Sequence, residues 1–531
     1  SPLPQSAPLL VRDEAPMAPP YGDAVAARFP NPSVVYSTPG LGADRRAFTT
    51  NAEVGQWLRS LSDSAPRSGT RTQLLQIGTS QRGEPIQGLL VTRAAGTDPA
   101  SLDKSGRPTV VLIGQQHGDE PAGSEALLVI SRELAQGLLE PLLDRINVVV
   151  VPRANPDGAE VGTRVTANGV DMNRDHLLLN TPEARALAQV INDYRPILVV
   201  DAHEYTVVGR YLQKFNAIQR YDALLQYTTT ANYPEFLTKA SQEWFHQPMV
   251  AALKAQGLTS DWYYTTSTNL QDKRISMGGT QPDTGRNVHG LKNTVSLLIE
   301  TRGVGIGRMH IQRRVHAQVT AITSALRTTA ERAANLEQVR SFVARDVSAM
   351  ACRDQVVIEA EATPTQRDLD FLDPETGADR SIRVDWNSSL TLRNTKVRAR
   401  PCGYWLSANA SAAVERLRQL GIQVMKVAEP GSVLAESYRE TARETGNRQD
   451  VIGTIAGGGD IVRVQVSTLR SAIDAPAGSF YVPLNQPRAN LAVAALEPDT
   501  QNSYFANHLI QELGQSARVM AVPSLVFEET D

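Results

Sequence analysis

A histidine and a glutamate stand three residues apart directly after a short apolar run. The run at 109–113 is rich in β-branched residues and is followed by Gly114, which predicts a buried strand. His117 and Glu120 leave this strand at a spacing that lets both side chains point at one ion. Imidazole and carboxylate together suit Zn²⁺. Alone the pair is weak evidence, because a chain of 531 residues can contain it by chance as a solvated loop pair.

A second apolar run supplies a third candidate ligand. Residues 197–203 read Ile-Leu-Val-Val-Asp-Ala-His, so His203 also stands at the end of a predicted strand. Three protein ligands leave a fourth position for water, which is the catalytic arrangement of zinc. We therefore predict one Zn²⁺ per chain on His117, Glu120 and His203, although His203 could instead be a satisfied core histidine. The other histidines lack ligand spacing and are predicted to be structural or solvated: His176, His246, His289, His310, His316 and His508.

Two further segments carry polar side chains that a hydrolytic zinc site needs. A predicted strand at 294–299 ends in Glu300, an acid that is not in a ligand motif and is therefore the candidate general base. The alternative is an ordinary ion pair between Glu300 and Arg302. The segment 168–175, Asn-Gly-Val-Asp-Met-Asn-Arg-Asp, follows an Asn-Pro-Asp-Gly motif at 155–158. Open α/β sheets place their sites at the carboxyl ends of strands, so we expect these segments to meet in one crevice.

In the order H-x-x-E, N-P-D-G, D-x-N-R, His, Glu, these motifs resemble the zinc metallocarboxypeptidases of the carboxypeptidase A-like superfamily. The segment 77–86 is similar to the early strand-turn-strand of that family, and the resemblance spans roughly residues 45–335. It implies a bacterial member with an extra C-terminal domain. The expected fold is α/β, with a mixed, mostly parallel twisted sheet flanked by helices.

The resemblance also implies roles for individual residues. Arg164 matches the position that stabilises the tetrahedral oxyanion, an electrostatic role that suits a guanidinium. Asn173 and Arg174 match the pair that grips the terminal carboxylate of the substrate. Asp171 would orient the first histidine ligand from behind. Two plainer interpretations stay open, in which Arg164 is a surface residue and Arg174 only pairs with Asp175.

The chain departs from the family pattern before Glu300. The family carries a mobile Tyr there, but the segment 276–287 has none, and we expect Tyr263 and Tyr264 to lie too far upstream. The same segment contains Arg286, close to the family's pocket-base position. An Arg there would favour C-terminal Glu or Asp. Alternatively, Arg286 replaces the Tyr on the terminal carboxylate or pairs with Asp283.

The sequence therefore predicts a zinc-dependent exopeptidase that hydrolyses the C-terminal peptide bond of peptides, with a metal-activated water, Glu300 as general base and a preference for acidic C-terminal residues. One alternative is a zinc amidase or peptidase that acts on peptidoglycan stem peptides. Another is a non-catalytic binding protein on the same scaffold. C-terminally amidated peptides would separate the first two functions, and a metal content near zero would favour the third.

Composition restricts the partners and the compartment. A formal charge of −3 gives no reason to expect nucleic acid, and no apolar run is long enough to insert into a membrane. The only two cysteines, Cys352 and Cys402, are predicted to form a disulfide of an exported protein rather than two free thiols. The chain begins at Ser1 without an apolar signal core, as a mature periplasmic or secreted protein or a trimmed chain would. Its oligomeric state is left open.

The chain is predicted to have three parts. Residues 1–44 are Pro-rich and are expected to form an extended segment. Strand and helix patterns alternate across 45–345, which favours an α/β catalytic domain. Within it, the aromatic-rich residues 205–293 are irregular, as is typical of walls around a cleft. From 346 to 531 short strand patterns, interrupted by a helix-strand unit at 410–427, predict a smaller β-rich domain whose role the sequence does not show.

Overall fold

A mixed sheet of eight strands forms the centre of the computed structural model, which describes residues 19–64 and 69–529. Four neighbouring pairs of strands are parallel and three are antiparallel, so the predicted fold class is confirmed. From edge to edge the strands are Arg71–Thr79, Pro85–Thr92, Asn147–Val151, Thr109–Gly114, Leu198–Thr206, Val295–Val304, Ala223–Tyr227 and Ser260–Trp262.

Alternate side chains of the central strands pack on opposite faces of this main sheet, as the two-residue period of a strand requires. On one face, Val110 and Leu112 belong to a core shared with three helices: Asn51–Ser62, Ala122–Gln136 and Ile311–Glu331. On the other face, Val111 and Ile113 pack with the helix Pro182–Tyr194. Both faces are covered, and the edge where the parallel strands end is left for polar side chains.

The first helices begin where the local sequence predicts. Thr50 and Glu53 form a capping box at the start of Asn51–Ser62. Thr181 caps Pro182–Tyr194, whose proline occupies a first-turn position that needs no N–H donor. The remaining α-helices are Asp23–Ala26, Pro99–Lys104, Pro156–Val161, Gly209–Phe215, Glu235–Ala240, Gln247–Ala255, Gly285–Gly290, Ala333–Ala349, Ser411–Gln419 and Ala489–Leu496. Residues 1–18 of the predicted extended segment lie outside the described residues.

A second sheet joins distant parts of the chain. In spatial order its strands are Ile218–Gln219, Gln355–Leu372, Asp379–Ala399, Ile275–Met277 and Tyr264–Thr266. Strands from before and after residue 345 are therefore hydrogen-bonded in one sheet. The division of the chain at 44–45 and 345–346 stays a prediction.

A third, antiparallel sheet lies in the last part of the chain. In spatial order its strands are Met425–Lys426, Phe480–Pro483, Gly403–Leu406, Ser516–Val519, Gly431–Asn447 and Asp460–Ala475. The prediction of short strands after residue 346 is right about the strand structure but wrong about its length, because Gln355–Leu372 and Asp379–Ala399 are long strands. These strands expose many residues on both faces, so only short stretches of them show an apolar pattern.

The predicted disulfide between Cys352 and Cys402 is present. It ties the segment before the strand Gln355–Leu372 to the start of the strand Gly403–Leu406. Within the described ranges, every helix is too short or too polar to cross a lipid bilayer.

Candidate metal centre and active site

The three candidate ligands converge at one edge of the main sheet. The strands Thr109–Gly114 and Leu198–Thr206 are parallel neighbours, so their carboxyl ends point to the same side. His117 and Glu120 occupy the loop after the first strand, and His203 lies near the end of the second. One ligand atom of each residue lies within 4.8 Å of the others, and all three side chains are buried.

The carboxylate of Glu120 lies between the two imidazole rings. Its Oε2 is 2.7 Å from Nδ1 of His117, and its Oε1 is 3.0 Å from Nδ1 of His203. Both rings therefore present the same nitrogen to one small volume. Two imidazole nitrogens and a carboxylate are the donor set of catalytic zinc sites, so the residues fit a zinc ion.

Each histidine has a second carboxylate behind it. Nε2 of His117 lies 2.8 Å from Oδ1 of Asp171. Nε2 of His203 lies 2.8 Å from Oδ2 of Asp201, at ion-pair distance but without the alignment of a hydrogen bond. Gln116 donates to the same Asp201 oxygen at 2.7 Å. Such carboxylates fix the orientation of a ligand ring and raise its basicity.

Glu300 lies beside the ligands on the next strand of the main sheet. The strand Val295–Val304 runs parallel to Leu198–Thr206, and Glu300 is in register with His203. The alternative pair with Arg302 is not formed, because Arg302 donates to the carbonyl oxygen of Gln219. Within the described residues, no ion pair reaches the Glu300 carboxylate. Glu300 is therefore a buried acid without a counter-ion among the residues 19–64 and 69–529.

Burial and neighbouring charges set the protonation of this cluster. Burial raises the pKa of Glu300 to about 8, with His203 opposing the rise and Glu120 adding to it. A divalent cation on the ligands would favour the ionised form of Glu300 instead. Burial lowers the pKa of His203, but Asp201 and Glu120 outweigh it and hold that pKa well above 6.5.

Arg164 lies at the rim of the ligand cluster and is partly exposed. Its Nε donates to Oδ2 of Asp171 at 3.0 Å, and its NH1 is 3.8 Å from the Glu120 carboxylate. Burial would raise the pKa of Asp171, but Arg164 and His117 outweigh it and hold that pKa well below its usual range. Arg164 is therefore a cation at the ligands rather than an isolated surface residue.

Asn173 and Arg174 lie next to each other on a single helical turn, Met172–Arg174. The side-chain oxygen of Asn173 accepts from the N–H of Gly285 at 2.9 Å. Arg174 does not pair with Asp175, as one interpretation of the sequence had it. Its Nε donates instead to Asp450 at 3.0 Å, a residue far along the chain.

Arg286 lies in the first turn of the helix Gly285–Gly290 and is buried. Its guanidinium donates to oxygens of four residues: Tyr227, Thr229, Gly279 and Asn287. The alternative ion pair with Asp283 is not formed, because that carboxylate lies 3.5 Å from Arg448. Burial lowers the pKa of Arg286 to about 10, so it remains a cation at neutral pH.

One cavity of about 370 Å³ opens above this cluster. Its walls include most of the candidate site residues: His117, Arg164, Asn173, Arg174, His203, Arg286 and Glu300. Glu120 and Asp171 lie behind these walls. The tertiary structure therefore brings all of the candidate residues to one cavity or to its immediate surroundings.

Sequence reasoning missed several residues of the site. Tyr263 lines the cavity, so the expectation that it lies too far upstream is wrong. Its ring would lie 3.1 Å from a Cβ placed on Gly278, which also faces the guanidinium of Arg286. The aromatic character of residues 205–293 was the available signal for Tyr263. Asp201 could have been found as the residue two positions before His203 on the same face of a strand.

His176 has a defined place behind the ligands. Its Nε2 is 2.7 Å from Oε1 of Gln116, which holds Asp201. Its ring makes an edge contact with the ring of His289. Burial lowers the pKa of His176 to about 4, so it supports this network as a neutral ring. The interpretation of His176 as structural agrees with these contacts.

Comparison with known proteins shows which family and which solved structures this chain resembles. Residues 54–310 match the family model described as zinc carboxypeptidase. Carboxypeptidase 2 of Trichophyton rubrum is 28% identical over 423 residues, which cover 78% of this chain and 77% of the fungal protein. Carboxypeptidase D of Mus musculus is 32% identical over 200 residues, which cover 30% of this chain and 14% of the mouse protein. Among solved structures, a metallo-carboxypeptidase from Burkholderia cenocepacia aligns with a TM-score of 0.38 and 16% identity, over 52% of this chain and 68% of that chain.

Proposed function

Because the chain belongs to the zinc carboxypeptidases of the carboxypeptidase A-like superfamily, and is therefore a hydrolase, we propose that it releases single residues from the C-termini of peptides. One observation carries this proposal. Glu300, a buried acid with no ion-pair partner in the described part of the chain, stands in register with His203 beside a His-Glu-His cluster and faces the same cavity.

His117, Glu120 and His203 would hold the metal. Zn²⁺ bound there supplies Lewis acidity towards the scissile carbonyl and lowers the pKa of a water molecule. Asp171 and Asp201 lie behind the two imidazole rings, where each carboxylate would fix the orientation of a ligand ring. We propose one zinc ion per chain.

Glu300 is the proposed general base. Its carboxylate takes a proton from the attacking water and returns it to the departing amine. Arg164 lies beside Glu120 and points a guanidinium at the rim of the cavity, where it would stabilise negative charge on the carbonyl oxygen. Asn173 and Arg174 would hold the terminal carboxylate of the substrate, which places the last peptide bond over Glu300.

The preference for acidic C-terminal residues rests on Arg286 and stays a prediction. The guanidinium lies in the cavity wall and is cationic, which supports the proposal. Four protein oxygens already accept from its two terminal nitrogens. An acidic side chain of the substrate would therefore share Arg286 with protein acceptors.

We also infer that the protein is exported to the periplasm or secreted. The support is the disulfide between Cys352 and Cys402, because disulfides persist in oxidising compartments. Peptides outside the cytoplasm would then be the substrates. Peptidoglycan stem peptides remain the alternative substrate class.

A peptide library tests the reaction. The zinc-loaded protein is incubated with matched peptides that end in a free carboxylate or an amide, and product masses are recorded. We expect single-residue losses from the free-acid peptides only, about one zinc per chain, and loss of activity with a chelator. Equal cleavage of both sets would contradict C-terminal carboxylate recognition and favour the amidase alternative.

A metal-content measurement accompanies the library. His203→Ala should purify with little zinc, and the matched control His508→Ala, at an exposed histidine, should keep the wild-type content. A His203→Ala protein with full zinc and normal turnover would show that the ligand set is wrong. A wild-type protein that binds no zinc would favour a non-catalytic binding role.

A further inference from the structure

A loop of the third sheet lines part of the cavity at the candidate active site. The two long strands Gly431–Asn447 and Asp460–Ala475 are joined by residues 448–459, and part of this loop forms the cavity wall. The wall residues are Gln449, Asp450, Val451 and Ile452. The cavity at the edge of the main sheet is therefore completed by a segment more than a hundred residues beyond the matched family region.

Asp450 contacts the residue that would grip the substrate carboxylate. Its Oδ2 accepts from Nε of Arg174 at 3.0 Å, across 276 residues of sequence. NH1 of Arg174 donates to the carbonyl oxygen of Asn173 at 2.8 Å. Within the described residues, no hydrogen bond uses NH2 of Arg174, and Arg174 is one of the residues that line the cavity. Nε and one N–H of NH1 are engaged by the protein, so, among the described residues, the free edge of the guanidinium is the one that carries NH2 and the second N–H of NH1.

The carboxylate of Asp450 is itself fixed. Its Oδ1 accepts from the backbone N–H groups of Ile452 and Gly453 at 2.9 and 3.0 Å. These bonds form a turn within the loop, in which one carboxylate oxygen organises the backbone. The other oxygen is thereby aimed at Arg174. A carboxylate held in this way cannot follow a mobile partner, so it determines where the guanidinium lies.

Further contacts, each to a backbone atom, hold the loop 448–459 against the segment 169–174. NH2 of Arg448 donates to the carbonyl oxygen of Arg174 at 2.5 Å. The N–H of Asp171 donates to the carbonyl oxygen of Ala456 at 3.2 Å. Gly457 lies so close to the 169–170 backbone that an added Cβ would come within 2.7 Å of it. The loop therefore positions both the main chain and the side chain of Arg174.

We propose that Asp450 is a positioning residue, which orients Arg174 so that its free edge binds the terminal carboxylate of the peptide substrate. The inference rests on the proposed function of Arg174. A guanidinium binds a carboxylate strongly when two N–H groups point the same way, and a fixed Nε selects that orientation. The last part of the chain thereby takes part in substrate recognition.

Binding of product-like probes tests the proposal without turnover. The probes are N-acetylleucine and N-acetylleucinamide, titrated calorimetrically into the wild-type protein, Asp450→Asn and Asp450→Ser. Both variants keep an acceptor for the turn of the loop but remove the charge that faces Arg174. Asp474→Asn, an exposed aspartate on the same hairpin, is the matched control.

We expect the wild type to prefer the acid over the amide. Both Asp450 variants should bind the acid about tenfold more weakly, a loss of about 1.4 kcal/mol, and should bind the amide unchanged. In peptide hydrolysis KM should rise by a similar factor while kcat stays within about twofold. The control should match the wild type in each measurement.

Three results would overturn the proposal. Unchanged acid binding in both variants would mean that Asp450 does not orient Arg174. Tighter acid binding would make Asp450 a competitor of the substrate carboxylate. Equal loss of acid and amide binding would indicate general damage to the cavity. A wild type that binds the acid selectively but hydrolyses no peptide would refute the proposed function and leave the role of Asp450 intact.

Discussion

Glu300 is the residue on which the proposed chemistry depends most. It is a buried acid without an ion-pair partner among the described residues, and it faces the cavity beside His203. Glu300→Gln keeps its size but cannot take a proton from water, so kcat should fall by about 10²–10⁴-fold with zinc retained. Steady-state kinetics and metal analysis check this. Glu331→Gln, at an exposed helix end, should behave as wild type, and a Glu300→Gln enzyme with a tenth of normal turnover would refute the assignment.

Two roles of Arg286 can be distinguished by substrate preference: it either lines the pocket for the departing side chain or holds the terminal carboxylate. If it lines the pocket for the departing side chain, the wild type should prefer C-terminal Glu over Leu, and Arg286→Ala should abolish that preference. If it holds the terminal carboxylate, all substrates should weaken alike. The guanidinium also donates to the backbone oxygens of Tyr227 and Gly279. Thermal unfolding of Arg286→Ala should therefore be measured together with its kinetics, so that a loss of stability is recognised. A wild type that prefers C-terminal Lys or Arg would rule out the acidic pocket.

The loop that carries two of the candidate ligands, His117 and Glu120, depends on a close approach between two elements of the structure. Gly118 lies against the helix Pro156–Val161, where an added Cβ would come within 2.0 Å of the backbone of Gly158. Gly118→Ala should therefore displace the loop, destabilise the protein by about 1–3 kcal/mol and weaken zinc binding by about tenfold or more. Zinc titration and thermal unfolding measure both effects. Gly514→Ala, which meets open space, should change neither.

The disulfide between Cys352 and Cys402 contributes to the stability of the whole molecule. It closes a loop of about 50 residues that contains both long strands of the second sheet. Replacing Cys352 and Cys402 together by Ser should lower the free energy of unfolding by roughly 4 kcal/mol, in a model that counts loop entropy. Denaturant unfolding checks this value. Thiol titration of the denatured, unreduced protein should find no reactive thiol, and two thiols would remove the support for export.

The sequence by itself determined the candidate ligands, the proposed base and the type of main sheet. His117, Glu120 and His203 follow strong apolar strand patterns, and each pattern is local. A parallel sheet brings the ends of such strands to one edge, so the sequence alone predicts that they meet. The helices of the first part of the chain were predictable for the same reason, because caps and periodicity act within a few residues.

Only the tertiary structure decided what surrounds these residues. The contact of Asp450 with Arg174 spans 276 residues, and no local pattern marks the two residues as partners of each other. Tyr263 enters the cavity because its chain segment folds back along a wall, which sequence distance could not show. The length of the strands Gln355–Leu372 and Asp379–Ala399 was not predicted, because exposed strands lack apolar alternation. Interactions between distant segments depend on the packing of the whole chain, and that packing is not encoded at any single position.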